Sequence, residues 1–230
     1  MRGKLIVFEG VEGSGKTTQI QRLRQWLSDS GWLEMWRTHG LIPRVVVTRE
    51  PGGTELGLNL RKLLLNQPIN EPLRERAELL LYAADRAQHV DDFLKPELAK
   101  GCLILCDRFT DSTIAYQGYG GKMNLKLIEE VNNLATNGLE SDLTLWLDIN
   151  VEIGLARTKT RGNQDSIEKK KMAFHRRVQQ GFTELAKANP QKIFRIDANL
   201  SEEEVENQIQ QILEKKFREW GLDFTKRKGR

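Results

Sequence analysis

Residues 5–18, which read Leu5-Ile-Val-Phe-Glu-Gly-Val-Glu-Gly-Ser-Gly-Lys-Thr-Thr18, decide the fold of this chain. A short apolar run is followed by the pattern G-x-x-x-x-G-K-[ST] and then by apolar residues at helical spacing. Glycines let successive backbone N–H groups curl around a phosphate, and the start of the helix adds its positive dipole end. The stretch therefore predicts a strand, a phosphate-binding loop and a helix rather than a chance glycine-rich turn.

The loop predicts roles for individual side chains. We expect Lys16 to contact the β- and γ-phosphates of ATP, and the Thr17 hydroxyl to ligate Mg²⁺. Glu12 is unusual there, because a triphosphate repels a carboxylate. It is either a solvated loop residue or a group that faces an acceptor and accepts a hydrogen bond from a sugar hydroxyl. The candidate ATP-binding residues of the loop are Gly10, Val11, Glu12, Gly13, Ser14, Gly15, Lys16, Thr17 and Thr18.

Four more apolar runs follow, at Val45–Val47, Cys102–Cys106, Leu143–Leu147 and Ile193–Ile196. Segments with helical periodicity separate them, which favours a parallel sheet with right-handed crossovers. Near-continuous apolar strands are typical of a sheet that helices cover on both faces. We therefore predict an α/β chain with the three-layer P-loop NTPase fold, a five-stranded parallel sheet flanked by helices. Residues 1–230 are interpreted as one domain.

Composition and charge argue against several classes of protein. The chain carries 36 Lys+Arg and 32 Asp+Glu, a net charge of +4, and part of this excess lies in the basic C-terminal tail 222–230. A nucleic-acid-binding protein usually has a stronger basic stripe. No apolar run approaches the roughly 18 residues of a membrane helix, and the N-terminus is not that of a signal peptide, so we expect the cytoplasm. Cys102 and Cys106 lie too far apart along one strand for a disulfide and are expected to be buried thiols.

Three further predictions concern local segments of the chain. Residues 31–43 exceed what one helix and one turn require and are interpreted as a surface excursion. Ser201-x-x-Glu204 matches the capping box that begins a helix. The helix from Glu71 to about Val90 is predicted to turn four residues toward the core: Ala77, Leu80, Leu81 and Ala84.

The third strand ends in Asp107 and Arg108. In a doubly wound sheet the carboxyl ends of the strands point into the ligand crevice. Asp107 is then placed to hold Mg²⁺, directly or through water, and Arg108 to bridge the phosphates of a donor and an acceptor. The alternative is a structural ion pair that caps the strand.

Two other segments are candidates for contact with an acceptor. Tyr82 and Arg86 lie four residues apart on one helix face. An aromatic ring and a guanidinium suit a pyrimidine base, although such pairs also occur in surface packing. The turn Thr48–Thr54 could receive an anion or a base, but its Pro-Gly-Gly sequence is ordinary loop chemistry.

Residues of about 157–167 are predicted to form a mobile lid. Phosphoryl transfer commonly uses an arginine to stabilise the charge that develops in the transition state, and the phosphate loop contains none. A polar, glycine-containing stretch after the fourth strand and its helix would deliver Arg157 and Arg161 and exclude water. The alternative is the solvated basic end of a helix.

Four segments together resemble bacterial thymidylate kinase: Phe8–Gln19, Thr48–Thr54, Tyr82–Arg86 and Asp107–Gln117. The resemblance extends from about Gly3 to Gly221. It implies transfer of the γ-phosphoryl group of Mg·ATP to dTMP, giving dTDP and ADP in dTTP biosynthesis. The chain is similar to the bacterial subclass in which the lid supplies the catalytic arginine. It also implies a homodimer formed through helices, although no pattern locates the interface.

The resemblance also implies roles for single residues. Glu12 matches a loop carboxylate near the sugar of dTMP, and Tyr116 matches a residue that crowds out a ribose 2′-hydroxyl. Tyr82 takes the place of an aromatic residue that stacks on thymine, and Arg86 matches the arginine that holds the base carbonyl. Arg161 resembles a lid residue that packs on adenine. The implied dTMP-binding residues are Glu12, Arg49, Pro51, Tyr82, Arg86, Arg108, Thr113, Tyr116 and Gln117. The catalytic residues are Lys16, Asp107, Arg108, Arg157 and Arg161, with Thr17 and Asp107 at the metal.

The expected mechanism is in-line transfer by positioning and charge neutralisation, without a covalent intermediate. A phosphate acceptor is already nucleophilic, so a general base is not required. The nearest alternative is another P-loop nucleotide or deoxynucleoside kinase. A nucleotide-binding switch or ATPase subunit is a further alternative, in which Tyr82, Arg86 and Tyr116 would be dispensable. The three histidines (His39, His89 and His175) match nothing catalytic and are interpreted as structural or surface residues.

Overall fold

The structure, a computed structural model, describes residues 2–66, 73–159, 165–168 and 170–223. Its sheet has five strands: β1 (Lys4–Glu9), β2 (Val45–Arg49), β3 (Leu103–Asp107), β4 (Leu143–Asp148) and β5 (Ile193–Asp197). All neighbouring strands are parallel, in the order β2-β3-β1-β4-β5. The predicted five-stranded parallel sheet is confirmed. Because β1 is central, the loop that follows it lies at the middle of the carboxyl edge.

Helices connect the strands and cover the sheet. In the part of the chain that the structure describes, they are α1 (Lys16–Asp29), α2 (Trp32–Thr38), α3 (Glu55–Arg61), α4 (Glu75–His89), α5 (Lys95–Ala99), α6 (Thr110–Thr113), α7 (Leu125–Thr136), α8 (Val151–Lys159), α9 (Met172–Ala188) and α10 (Glu202–Glu219). Three π-helical segments continue or join them, at Lys62–Asn66, Val90–Leu94 and Ile114–Gly120. Such segments often occur at functional sites, and the third carries Tyr116 and Gln117.

The core lies on both faces of the sheet, as the apolar strands predicted. Alternate residues of β1 point to opposite faces. Ile6 and Phe8 join a cluster with buried residues of α1, α9 and α10. Leu5 and Val7 join a second cluster with Val90, Leu94 and Leu98. The chain therefore forms three layers, with the sheet between two layers of helices.

The prediction of a surface excursion at residues 31–43 is wrong for its central part. This segment forms α2, and the Trp36 side chain is completely buried. The Trp36 ring meets the Phe217 ring edge-on at 4.9 Å, and its Nε1 donates a hydrogen bond to the Leu222 carbonyl at 2.9 Å. A buried indole with its N–H satisfied fixes α2 to the end of α10.

The prediction for the inner face of α4 is also wrong. Ala77, Leu80 and Ala84 are exposed, and Leu81 is half-buried. The buried face carries Leu79, Asp85, Arg86 and His89 instead. Burial of polar groups is favourable only when they find partners, and the partners of Arg86 and His89 lie around the site described below. Apolar periodicity alone therefore selected the wrong face.

Two local predictions are confirmed. The Ser201 hydroxyl accepts a hydrogen bond from the Glu204 amide at 3.3 Å, and the Glu204 carboxylate accepts one from the Ser201 amide at 3.0 Å. This reciprocal pair is the capping box that begins α10. Cys102 and Cys106 are both buried free thiols. Among the residues with a described position, no helix is both long and apolar enough to cross a membrane.

Candidate active site

Two pockets open at the carboxyl edge of the sheet. The first, which we call the Tyr82 pocket, has a volume of about 270 Å³. The second, the Arg157 pocket, has a volume of about 490 Å³ and runs along the phosphate loop to the start of α10. Gly13, Lys16 and Thr17 line both pockets. The two cavities therefore meet at the phosphate loop.

The structure sorts the candidate residues between these pockets. The Tyr82 pocket is lined by all nine residues that the sequence predicted for dTMP and by Asp107. Arg157 lines the other pocket together with the loop residues from Gly13 to Thr18. Gly10 and Val11 line neither pocket. Arg161 lies outside the described residues, as do the rest of the segment 160–164 and positions 224–230 of the basic tail.

The ammonium of Lys16 lies inside the phosphate loop. Its Nζ donates to the carbonyl oxygens of Gly10 at 2.9 Å and Val11 at 3.1 Å, and it lies 3.3 Å from Ser14 Oγ. Burial, followed by the positive charge of Arg108, lowers the pKa of Lys16 to about 8. Neutral carbonyls are weak partners for a buried cation, so a phosphate in the loop would offer a stronger one.

Thr17 and Asp107 are brought together from different parts of the chain. Thr17 Oγ1 donates to Asp107 Oδ2 at 3.2 Å, across the gap between α1 and β3. A hydroxyl and a carboxylate oxygen are the hard donors that Mg²⁺ prefers, with phosphate oxygens and water completing its shell. The two side chains therefore fit the predicted metal position. No larger cage of His, Cys, Asp or Glu occurs among the described residues.

Arg108 stands between the phosphate loop and the Tyr82 pocket. Its φ is 72°, which is unusual for a residue with a side chain. Its guanidinium donates from Nη1 to the Gly10 carbonyl at 3.0 Å and from Nη2 to Glu12 Oε1 at 3.1 Å. The guanidinium carbon also lies 4.9 Å from the centre of the Tyr116 ring. These contacts hold the cation in the wall of the Tyr82 pocket, against the phosphate loop.

Glu9 is a functional residue that sequence reasoning missed. Its Oε1 accepts hydrogen bonds from the amides of Phe109 at 2.8 Å and Ser112 at 3.1 Å, and its Oε2 accepts one from Ser112 Oγ at 2.6 Å. Burial, followed by the charge of Asp111, raises the pKa of Glu9 to about 7. The carboxyl fixes the backbone directly after Arg108. A lone acidic residue at the end of an apolar strand was the only signal for it.

Arg86 is almost entirely enclosed, with 2% of its surface exposed. Its Nε donates to Glu50 Oε2 at 2.8 Å, and its Nη1 donates to Thr113 Oγ1 at 2.9 Å and Asn132 Oδ1 at 2.6 Å. Its Nη2 donates to the Phe109 carbonyl at 2.8 Å. A guanidinium has five N–H donors. Four are used by described protein groups, which leaves one N–H at Nη2 for the pocket.

His89 lies behind this arginine. Its Nδ1 is 2.9 Å from Glu50 Oε1, and its Nε2 is 2.7 Å from Thr48 Oγ1. The ring is completely buried and stacks on Phe93. The interpretation of His89 as a structural residue is confirmed, and its contact with Glu50 links it to the orientation of Arg86.

The fourth arginine of the Tyr82 pocket, Arg61, was not predicted from the sequence. It lines the Tyr82 pocket with Arg49 and donates to the Pro51 carbonyl at 2.9 Å. Burial, followed by the charge of Arg49, lowers the pKa of Arg61. Two neighbouring cations in one partly buried place favour an anion between them. Arg61 ends a leucine-rich helix, and nothing in that pattern distinguishes it.

Part of the predicted lid covers the Tyr82 pocket. Asp165, Ile167 and Glu168 line this pocket. Ser166 ties the segment to the π-helical stretch Lys62–Asn66, because its Oγ donates to the Leu64 carbonyl at 2.8 Å and its amide to the Leu65 carbonyl at 3.1 Å. Residues 165–167 belong to the predicted lid of about 157–167, and Glu168 extends it by one residue.

Glu12 joins three side chains around the Tyr82 pocket. Its Oε1 accepts from Tyr116 Oη at 2.6 Å as well as from Arg108, and its Oε2 lies 3.6 Å from His175 Nδ1. Burial alone would raise the pKa of Glu12, but the neighbouring His175, the charges of Arg108 and Lys16 and the Tyr116 hydroxyl lower it to about 2. With 11% of its side chain exposed, Glu12 is therefore a largely enclosed carboxylate rather than a solvated loop residue.

Comparisons with known proteins agree on one family. Residues 8–209 match the family model of thymidylate kinase. The thymidylate kinase of Cyanothece sp. is 57% identical over 229 residues, covering 96% of this chain and 97% of that protein. That of Nostoc punctiforme is 59% identical over 214 residues, covering 93% and 96%. A crystal structure of thymidylate kinase from Ehrlichia chaffeensis is similar with a TM-score of 0.72 and 33% identity, covering 93% of this chain and all of that one.

Proposed function

This chain belongs to the thymidylate kinase family, and we propose that its Tyr82 pocket binds dTMP while its Arg157 pocket binds ATP. The enzyme is an ATP-dependent kinase that transfers the γ-phosphoryl group to dTMP, giving dTDP and ADP for dTTP synthesis. The observation that supports the assignment of pockets is their shared wall of Gly13, Lys16 and Thr17. Two phosphate chains that enter from opposite sides would meet there. A kinase for another acceptor is not favoured by these relatives.

On the donor side, the backbone amides of the loop and Lys16 bind the phosphates of ATP. Lys16 is held by neutral carbonyls within the loop, so phosphate oxygens can replace these partners. Arg157, whose Nη1 lies 3.5 Å from the Gly13 carbonyl, approaches the same loop from α8. We assign Arg157 and Arg161 to the lid of residues 157–167, as the source of positive charge that the loop itself lacks.

Mg²⁺ would be held by Thr17 and Asp107, whose oxygens already lie 3.2 Å apart. When bound, the ion neutralises charge on the phosphate oxygens of ATP. The protein contributes the orientation of these two oxygens, since Thr17 lies in the first turn of α1 and Asp107 ends β3.

On the acceptor side, Tyr82 stacks on thymine, and the remaining N–H of Arg86 donates to a base carbonyl. Thr113 and Gln117 complete the base site; Gln117 is oriented by a hydrogen bond from its Nε2 to Glu78 Oε1 at 2.8 Å. Glu12 and Tyr116 face the sugar. A buried, fully oriented donor discriminates strongly against a base that lacks the matching acceptor.

The acceptor phosphate lies among Arg49, Arg61 and Arg108. Arg108 alone also reaches the phosphate loop, through the Gly10 carbonyl. It is therefore placed to stabilise charge on both the entering and the leaving oxygens of an in-line transfer. The covering segment 165–168 excludes water from this position, which limits hydrolysis of ATP. Residues 1–230 act as one kinase domain in this scheme.

An acceptor panel tests the assignment. Purified enzyme with ATP and Mg²⁺ is assayed with dTMP, dUMP, dCMP, AMP and thymidine, and the phosphorylated product is identified. We expect the highest kcat/KM with dTMP, because only dTMP combines a phosphate for the arginines with a thymine for Tyr82 and Arg86. Faster reaction of thymidine would contradict the assignment, and ATP consumption without a phosphorylated nucleotide would indicate an ATPase.

We also propose that the enzyme acts in the cytoplasm as a homodimer. Neighbouring helices α3, α4 and α7 pack together and expose apolar side chains. Leu80 is 55% exposed and Leu134 is 83% exposed, and a second copy of the chain would cover them. Apolar side chains exposed on neighbouring helices are typical of an interface. The exposed apolar residues of these three helices are Leu56, Leu58, Ala77, Leu80, Ala84, Leu125, Leu127 and Leu134.

Replacing Leu80 with glutamate tests this interface. A charge at the centre of a buried apolar interface is costly, so Leu80→Glu is expected to convert the dimer to a monomer. Sedimentation velocity measures the change. Ile153→Glu is the matched control, because Ile153 is similarly exposed but lies on α8. A monomeric wild type, or equal behaviour of the two variants, would contradict the proposed interface.

A further inference from the structure

His175 presents two buried nitrogens that the structure leaves without hydrogen bonds. The side chain lies on α9 with none of its surface exposed, and neither ring nitrogen has a hydrogen-bond partner among the described residues. Glu12 Oε2 is buried and unpaired in the same way. Buried polar atoms without partners are rare because each costs free energy. Their occurrence at one place points to a bond that forms in another state of the site.

The two unpaired groups face each other. His175 Nδ1 lies 3.6 Å from Glu12 Oε2, which is somewhat beyond hydrogen-bond length. Glu12 is ionised and therefore only accepts, so the facing Nδ1 has to carry the proton. Packing fixes the imidazole, since the Phe174 ring meets it edge-on at 5.4 Å and lies 6.3 Å from the Tyr116 ring. A small movement of Glu12 closes the gap.

A hydrogen bond from His175 would leave the Glu12 carboxylate with few free acceptor sites. A carboxylate offers about four lone-pair sites. Two on Oε1 are occupied by Arg108 and by Tyr116. A bond from His175 would take one of the two on Oε2. One site then remains, in a direction that the three protein donors determine.

We propose that His175 is a positioning residue for the sugar of the acceptor: its Nδ1–H donates to Glu12 Oε2 when dTMP binds and directs the last acceptor site of Glu12 at the 3′-hydroxyl. The proposal rests on the role of Glu12 toward the sugar given above. His175 does not touch dTMP in this scheme. It acts only through the orientation of the carboxylate.

The test compares dTMP with 3′-deoxythymidine monophosphate, which lacks the hydroxyl. His175→Phe keeps an aromatic ring but removes the donor, and His175→Asn keeps an N–H near the position of Nδ1. We expect His175→Phe to lower the preference for dTMP about tenfold, through a higher KM for dTMP and an unchanged KM for ATP. His175→Asn should retain most of the preference. His39→Phe, at an exposed histidine, should behave as the wild type.

Variants of Glu12 and of His175 distinguish the role of the carboxylate from that of the histidine. If Glu12→Ala, which removes the acceptor, keeps the preference for the 3′-hydroxyl, the role of Glu12 itself is wrong. If Glu12→Ala loses the preference and His175→Phe keeps it, only the inference about His175 is overturned. Should His175→Phe fail to fold, His175→Asn and His175→Gln decide, because glutamine places its amide near Nε2 instead. Equal preference in these two variants would also overturn the inference.

Discussion

Replacing Arg108 with alanine is expected to lower kcat by about 10³-fold while ATP affinity stays close to that of the wild type. The guanidinium lines the Tyr82 pocket and is bound to Gly10 of the loop and to Glu12 of the same pocket. Its charge is therefore available to the group in transfer, whereas the loop amides and Lys16 bind ATP without it. Steady-state kinetics give kcat, and calorimetric titration with ATP gives the affinity.

Arg24→Ala serves as the control for the loss of an arginine. Arg24 is exposed on α1 and lines neither pocket. It should leave both kcat and ATP affinity unchanged. If Arg108→Ala lost ATP affinity and turnover to the same extent, Arg108 would serve the donor site alone, and the scheme of one arginine for two phosphates would be wrong.

Replacing Arg86 with methionine is expected to lower the free energy of unfolding by about 3–5 kcal/mol, as well as to impair dTMP binding. Arg86 and Glu50 form an ion pair at 2.8 Å in which each side chain is 3% exposed. Removal of the cation leaves the carboxylate buried with His89 as its remaining partner. It also leaves Thr113, Asn132 and a carbonyl oxygen without their donor. Urea unfolding followed by circular dichroism measures the loss.

Arg44→Met is the matched control, because Arg44 also pairs with a buried glutamate but keeps 54% of its own side chain exposed. Water can take the place of an exposed partner, so the loss should be much smaller. The double variant Arg86→Met/Glu50→Gln should lose less than the sum of its single changes, since no buried charge is left unpaired. Equal losses for Arg86→Met and Arg44→Met would refute this account of the buried pair.

The features predicted best are those whose determining residues lie close together in the sequence. The phosphate loop, its strand and its helix lie within one stretch, so one pattern contains all the groups involved. The parallel sheet followed from the alternation of apolar runs with helical segments. Sheet topology then brings the ends of β1, β2 and β3 to one edge. Tyr82, Arg86 and Tyr116 could be assigned to that edge only through the resemblance of several separated motifs.

Glu9 and Glu50, which no prediction from the sequence included as site residues, act through distant partners. Phe109 and Glu9 are 100 positions apart, and His89 and Glu50 are 39 apart. No periodicity relates such positions, so a buried polar pair looks like any two polar residues. The prediction for the inner face of α4 was wrong for the same reason. Its buried polar residues are stabilised by tertiary contacts, while its apolar stripe faces outward, and helical periodicity does not distinguish the two.

The shared wall of the pockets has a consequence for inhibition. Gly13 has a φ of 71°, and a Cβ there would collide with the carbonyl oxygen of Gly154. Any side chain at this position is thus excluded by both backbone conformation and space. In the proposed assignment of the pockets, a compound that joined a thymidine head to an adenosine head would span the wall that contains this glycine. A bulkier residue at position 13 would disable the enzyme itself, so it could not confer resistance to such a compound.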